Sequence, residues 1–156
     1  MNPKYEALFT PWKVGNVEIK NRIVQCSMGG TSLFGWMEPS HLDKEAAYFL
    51  LNRAQDGVGL ILPGMQCIKD AIGGRRLYQN EKMFKDLKKY MDEFHKTGAK
   101  LFIQLAAGMG RSMAITKPMI LLLQHPVLGK LASPVADLDY ITASASATPN
   151  RWYDEI

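Results

Sequence analysis

Three short stretches carry residue types able to hold a small molecule: Ser27-Met28-Gly29-Gly30-Thr31, Pro63-Gly64-Met65-Gln66 and Gln104-Leu105-Ala106-Ala107-Gly108. Each sets a glycine, which lets backbone approach a neighbour closely, beside a polar or soft side chain. The Gln104 amide donates and accepts at once, so it matches the imide edge of a planar heterocycle. For a single glutamine, structural hydrogen bonding is the plainer reading. If the three stretches converge, they form a surface for a planar ligand held mostly by backbone groups.

Other chemistry-bearing residues point to less. Gly108-Met109-Gly110-Arg111 falls short of a dinucleotide fingerprint, because Met113 stands where the third glycine belongs and the next acidic residue is Asp137. Gly73-Gly74-Arg75-Arg76 is compatible with an anion-binding loop, a surface loop being the simpler reading. Asp43 and Glu45 suit the first turn of a helix, where they complement its dipole. His41, His95 and His125 have no spacing that suggests a metal site, and are read as surface or capping residues. Cys26 and Cys67 lack C-x-x-C spacing and are read as small buried residues rather than a redox pair. No Ser/His/Asp arrangement is visible, so no residue of this chain is assigned a catalytic role.

The elements that position these stretches follow from periodicity. Trp12-Lys13-Val14 and Val17-Glu18-Ile19 flank Gly15-Asn16, which predicts a β-hairpin whose turn residues tolerate positive φ. Apolar runs at Ile23–Ser27, Val58–Leu62 and Lys100–Leu105 predict three strands, the second covered on both faces. Between them, Ala46, Ala47, Leu50, Leu51 and Ala54 recur at helical spacing, with Ser40 as cap, Asp43 three positions on and Gly57 as stop. Asn80 opens a second helix, whose stripe is Met83, Leu87, Tyr90, Met91 and Phe94, and Gly98 ends it. The order β, α, β, α, β predicts parallel neighbouring strands with right-handed crossovers. Beyond Arg111 the pattern weakens. Met119–Leu123 suits a short helix, while Pro126, Pro134, Pro149 and the Ala143–Thr148 stretch read mostly as loop.

Composition bounds the rest. A chain of 156 residues with 47% hydrophobic and 22% charged residues suits one domain with a core, and excludes disordered, collagenous and disulfide-scaffold classes. The longest fully apolar run, Met119–Leu123, is far short of the roughly 20 residues of a membrane span. The start lacks a secretory signal, so the expected location is the cytoplasm, with no membrane partner. The net charge of +4 comes largely from dispersed residues, and the densest group, Lys82, Lys85, Lys88 and Lys89, reads as a solvated helix face rather than a nucleic-acid surface. A tail of this length without firm elements is unusual in a complete domain, so the chain is read as an incomplete one with unpaired sheet edges.

Taken in order, these segments resemble the old yellow enzyme superfamily. The resemblance rests on Leu8-Phe9-Thr10-Pro11, Val14-Gly15-Asn16, Ile19-Lys20-Asn21-Arg22-Ile23-Val24 and Cys26-Ser27-Met28. It continues through Arg53-Ala54, Gly57-Val58-Gly59-Leu60-Ile61, Gln104-Leu105, Gly108, Gly110-Arg111 and Ala145-Ser146-Ala147-Thr148-Pro149-Asn150. Within that superfamily the chain is most similar to the branch of NADH:flavin oxidoreductases, 2,4-dienoyl-CoA reductase and 2-enoate reductases. The resemblance implies the N-terminal part of an eight-stranded (β/α) barrel. Residues 1–22 would form the hairpin cap closing its bottom, 23–111 the first three strands with two helices, and 112–156 a loop-rich tail.

It also implies FMN at the C-terminal mouth and NAD(P)H as reductant, with hydride passing to an activated alkene of the enoate or enoyl-CoA kind. Ser27 and Met28 would lie against the flavin, Gly64 would approach it through backbone, and Gln104 would bond its pyrimidine edge. Gly29 stands where many relatives carry Thr or Cys, and Arg111 matches an arginine that would line the substrate site or brace its loop. Relatives often place a histidine before that Gly-Arg pair; here Gly108 and Met109 precede it, and no histidine role transfers. The family's proton donor, phosphate loops and iron–sulfur cysteines would fall beyond Ile156, so the chain alone is expected to be inactive. The alternative is a non-catalytic βα fragment that self-associates through its strand edges, as a homo-oligomer.

Overall fold

The structure, a computed structural model, describes residues 2–35, 39–70, 75–108, 117–132, 140, 143, 145 and 146. After a 3-10 turn over Pro3–Phe9 come the strands β1 (Trp12–Val14), β2 (Val17–Ile19) and β3 (Val24–Gln25), then the helix α1 (Lys44–Gln55). Next are β4 (Leu60–Ile61), β5 (Gln66–Cys67), helix α2 (Glu81–His95), β6 (Lys100–Leu101) and β7 (Leu105–Ala106). Two helices close the described order, α3 (Lys117–Gln124) and α4 (Leu128–Ala132). Packing divides the chain into two compact units, one of residues 1–35, 41–66 and 81–104, the other of 36–40, 67–80 and 105–156.

The first unit holds the parallel sheet, in the order β3-β4-β6, with α1 and α2 as its crossovers. Val24 pairs with Leu60 and Leu60 with Lys100, while Gln25 pairs with Ile61 and Ile61 with Leu101. Ile19, Leu33, Leu50, Ile61, Met83 and Phe94 are among its fully buried large side chains. Each contributes about 1.5–3 kcal/mol by leaving water. The helical stripes fall as their spacing requires: Ala46, Ala47, Leu50 and Ala54 of α1 are buried, as are Met83 and Phe94 of α2. Gly57 and Gly98 end these helices at φ +103° and +72°, a conformation that costs glycine little. Lys82, Lys85, Lys88 and Lys89 lie outside the buried stripe, and Lys88 and Lys89 face Asp92 and Asp86.

The hairpin β1–β2 forms with the expected register, Trp12 opposite Ile19, and Gly15 carries the positive φ of the turn. The segment after β2 is tied to the N-terminal ends of the strands. Asn21 Nδ2 donates to the carbonyl of Gly57, just before β4, and Lys20 Nζ donates to that of Thr97, just before β6. Asn21 Oδ1 accepts from Ile23 N–H, and its carbonyl accepts from Trp12 Nε1. The hairpin therefore sits at the end of the sheet opposite the strand tips.

Four expectations are corrected. The third strand, read as Lys100–Leu105, leaves the ladder after Leu101, with Phe102 N–H still donating to Ile61 O at 3.0 Å. The next rung would need an N–H at position 63, and Pro63 has none. The α1 cap is Asp43, whose carboxylate accepts from the N–H groups of Glu45 and Ala46 at 3.0 Å, because the helix starts at Lys44 rather than next to Ser40. Cys26 is exposed, since β3 ends before it; Cys67 is buried as expected. The tail is more helical than its prolines suggested: Pro126 separates α3 from α4 rather than dissolving both.

In the second unit α3 and α4 pack on each other, and His125 Nδ1 accepts from the N–H groups of Val127 and Leu128, a capping role. A second hairpin is closed by Asp70 N–H to Arg75 O at 2.8 Å and Leu77 N–H to Ile68 O at 2.9 Å. Its base is anchored by a buried polar knot in which Ser40 donates through N–H and Oγ to Asp70 Oδ1, and Asn80 Nδ2 donates to the Ser40 carbonyl.

Candidate functional site

Met28, Gly64 and Gln104, one from each candidate stretch, all lie in the first unit, beyond the carboxyl ends of β3, β4 and β6. Their backbones are laced together. Thr31 Oγ1 donates to the Met28 carbonyl at 2.9 Å, and Gly64 N–H donates to Thr31 Oγ1 at 2.9 Å and to Thr31 O at 3.1 Å. Ser32 Oγ donates to Met65 O at 2.8 Å, and Phe34 N–H donates to Gln66 Oε1 at 3.1 Å. Gln66 N–H then donates to Gln104 O at 2.8 Å. These hydrogen bonds, with the backbone of residues 31–34 and 64–66 between them, tie Met28, Gly64 and Gln104 together, so a shift at one tip is resisted by the other two.

Within this frame the candidate residues divide by exposure. Ser27, Met28, Gly29 and Gln104 are exposed, Met28 by 47%. A Cβ on Gly29 would meet open space. Gly64 is buried instead. A Cβ there would lie 2.7 Å from Ser32 Oγ, 2.8 Å from Ser32 N and 2.9 Å from Met28 O, so its missing side chain is what lets residues 28–32 close over the β4 tip. Arg111 lies outside the described residues, as do Gly73 and Gly74. Nothing in the sequence marked Thr31 and Ser32 as bracing groups. They are buried polar residues in a loop without periodicity, visible only through their partners.

The exposed set carries no formal charge. Met28 supplies a polarisable thioether, Ser27 a hydroxyl, and Gln104 a paired donor and acceptor. Among the described residues no group of three or more His, Cys, Asp or Glu side chains could hold a metal ion, and no helix is long and apolar enough to cross a membrane.

Parallel strands joined by crossover helices define an α/β architecture, in which loops at the carboxyl ends of the strands are the usual place for a ligand. Residues 7–119 match the NADH:flavin oxidoreductase / NADH oxidase family, and the chain belongs to that family. It is 34% identical over 118 residues to cinnamate reductase of Clostridium sporogenes, an alignment covering 71% of this chain and 17% of that protein. The old yellow enzyme of Trypanosoma cruzi superposes with a TM-score of 0.56 at 20% identity, over 94% of this chain and 36% of that one. A 2-naphthoyl-CoA reductase in complex with 2-naphthoyl-CoA superposes with a TM-score of 0.54 at 24% identity, over 67% of this chain and 16% of that one. The match to the curated relative thus spans about a sixth of that protein's length.

Proposed function

We propose that this chain is the N-terminal part of an FMN-dependent ene-reductase barrel, contributing one wall of the flavin site. The observation that carries the reading is the laced set of strand tips, which leaves Ser27, Met28, Gly29 and Gln104 exposed on a braced frame. FMN, when bound, supplies acceptance of hydride from NAD(P)H and its delivery to the β-carbon of an activated alkene. The chain's own residues bind and orient. Gln104 turns its amide to the pyrimidine edge, Met28 and Ser27 lie against the ring, and Gly29 leaves room above them. Gly64 holds this wall in place by admitting the 28–32 loop. Enoates or enoyl-CoA thioesters are the substrate class, by analogy with cinnamate reductase and 2-naphthoyl-CoA reductase.

Two features support a barrel completed by further elements. The sheet order leaves β3 and β6 each with one side unpaired among the described residues. Gln25, on β3, buries both amide heteroatoms with no hydrogen-bond partner among those residues. Such an orphan costs about 1–3 kcal/mol, which a neighbouring strand or helix would remove.

The test is to put residues 1–111 of this chain in place of the matching segment of the clostridial cinnamate reductase and to purify the chimera. A folded, yellow chimera that oxidises NADH with cinnamate, and whose FMN affinity falls at least tenfold on Gln104→Leu, supports the proposal. A chimera with native-like circular dichroism but no flavin, or flavin affinity indifferent to residue 104, overturns it. The isolated chain is expected to bind FMN weakly and to show no turnover.

A further inference from the structure

The exposed strand tip after β3 ends in a turn built on two glycines. Met28-Gly29-Gly30-Thr31 closes through Thr31 N–H to Met28 O at 3.4 Å, with Gly30 at φ +80° in the third position. Glycines permit such a turn but do little to hold it, since each has many backbone conformations open to it. The hold comes from Thr31. This residue is 4% exposed, and its hydroxyl accepts the Gly64 N–H at 2.9 Å while donating to Met28 O at 2.9 Å. A hydroxyl has a single proton, and here it goes to the Met28 carbonyl.

A trans peptide sets its N–H opposite its carbonyl. With the Met28 carbonyl drawn in to Thr31, the N–H of Gly29 in the same peptide is turned out of the loop. Gly29 is exposed, and its N–H meets no acceptor among the described residues. We propose that Thr31 is a positioning residue, whose hydroxyl turns the Met28–Gly29 peptide so that a backbone N–H, and not a carbonyl, faces the ligand on this wall. With FMN as that ligand, which rests on the function proposed above, a fixed donor favours the ring after it has gained electrons and negative charge. Gly29 has no side chain to do this. Its backbone takes the task, and Thr31 sets the direction of that backbone.

Two measurements test this. Amide NMR of the flavin-free chain should show one rapidly exchanging Gly29 N–H in the parent and in Thr31→Ser, which keeps the hydroxyl. Thr31→Val, which removes it at equal size, should give a Gly29 N–H that is protected or split between two environments. In the flavin-loaded chimera, Thr31→Val should weaken the preference for reduced over oxidised FMN about tenfold, which for a two-electron couple lowers the potential by about 30 mV. Thr31→Ser should restore the parent value, and Asp43→Ala, which loosens α1 without touching the turn, should leave it unchanged. A Gly29 N–H protected in the parent, or a signal and potential indifferent to Thr31→Val in a chimera that still holds flavin, would overturn the role of Thr31 while sparing the flavin reading. An equal fall in potential for Asp43→Ala would do the same, by tracing the effect to lost stability. A chimera that takes up no flavin overturns the reading itself and this role with it.

Discussion

At the residue scale the wall of strand tips depends on one missing side chain. Gly64→Ala puts a methyl group within 2.9 Å of Ser32 N and Met28 O, both backbone atoms that cannot swing aside. Overpacking of this kind costs about 1–3 kcal/mol. Urea unfolding should register that loss, and the 28–32 loop should become more open to proteolysis. A variant as stable as the parent would show that the loop does not close on Gly64.

The two thiols make a second case. Burial pushes the Cys67 thiol above its ordinary range, the hydrogen bond with Tyr140 opposing this and the nearby Asp70 adding to it. A pKa raised on folding means that the unfolded chain loses the proton first. The stabilisation is therefore whole below the ordinary thiol value and is lost as pH rises through the folded one. Unfolding free energy should decline as pH rises past the ordinary thiol range, about 8.5, less steeply in Cys67→Ala. In the native protein a thiol reagent should modify exposed Cys26 rapidly and Cys67 slowly.

Elements set which residues converge. The α1 cap shows how close the competition is. Asp43 takes the helix amides, and Ser40 is left for the Asp70 knot. Asp43→Ala should cost about 1 kcal/mol, the usual loss of an N-cap, visible as a lower urea midpoint with an unchanged slope. An unchanged midpoint would place the start of α1 elsewhere. The β4–β6 ladder is short because it stops where a backbone donor is missing. Pro63 ends the β4–β6 ladder, and Gly64 N–H turns to Thr31. The same interruption frees the tips to form loops, so the feature that limits the sheet also builds the candidate site.

On the scale of the whole molecule, the open sides of β3 and β6 and the partnerless Gln25 amide, all among the described residues, ask for another neighbour. Further βα units would cover them, and so would a second copy. Size-exclusion chromatography with light scattering over a wide concentration range separates these outcomes for the isolated chain. A concentration-dependent dimer, weakened by Gln25→Lys, is expected if copies pair edge to edge; a monomer at all concentrations would exclude self-association.

Local rules sufficed wherever one residue's conformation or one period decided the outcome. The Gly15 turn, the glycine stops at Gly57 and Gly98, the apolar stripes of α1 and α2, and the β-α-β-α-β order that makes β3, β4 and β6 parallel all come from such rules. The tertiary structure decided what depends on partners distant in sequence. These are the Thr31–Gly64 and Gln66–Gln104 bonds that fuse three tips, the burial of Gly64, and the diversion of Ser40 to Asp70. The reason is physical: a hydrogen bond between residues some 30 or more positions apart leaves no periodicity in the chain, and exists only once folding has brought its two ends together.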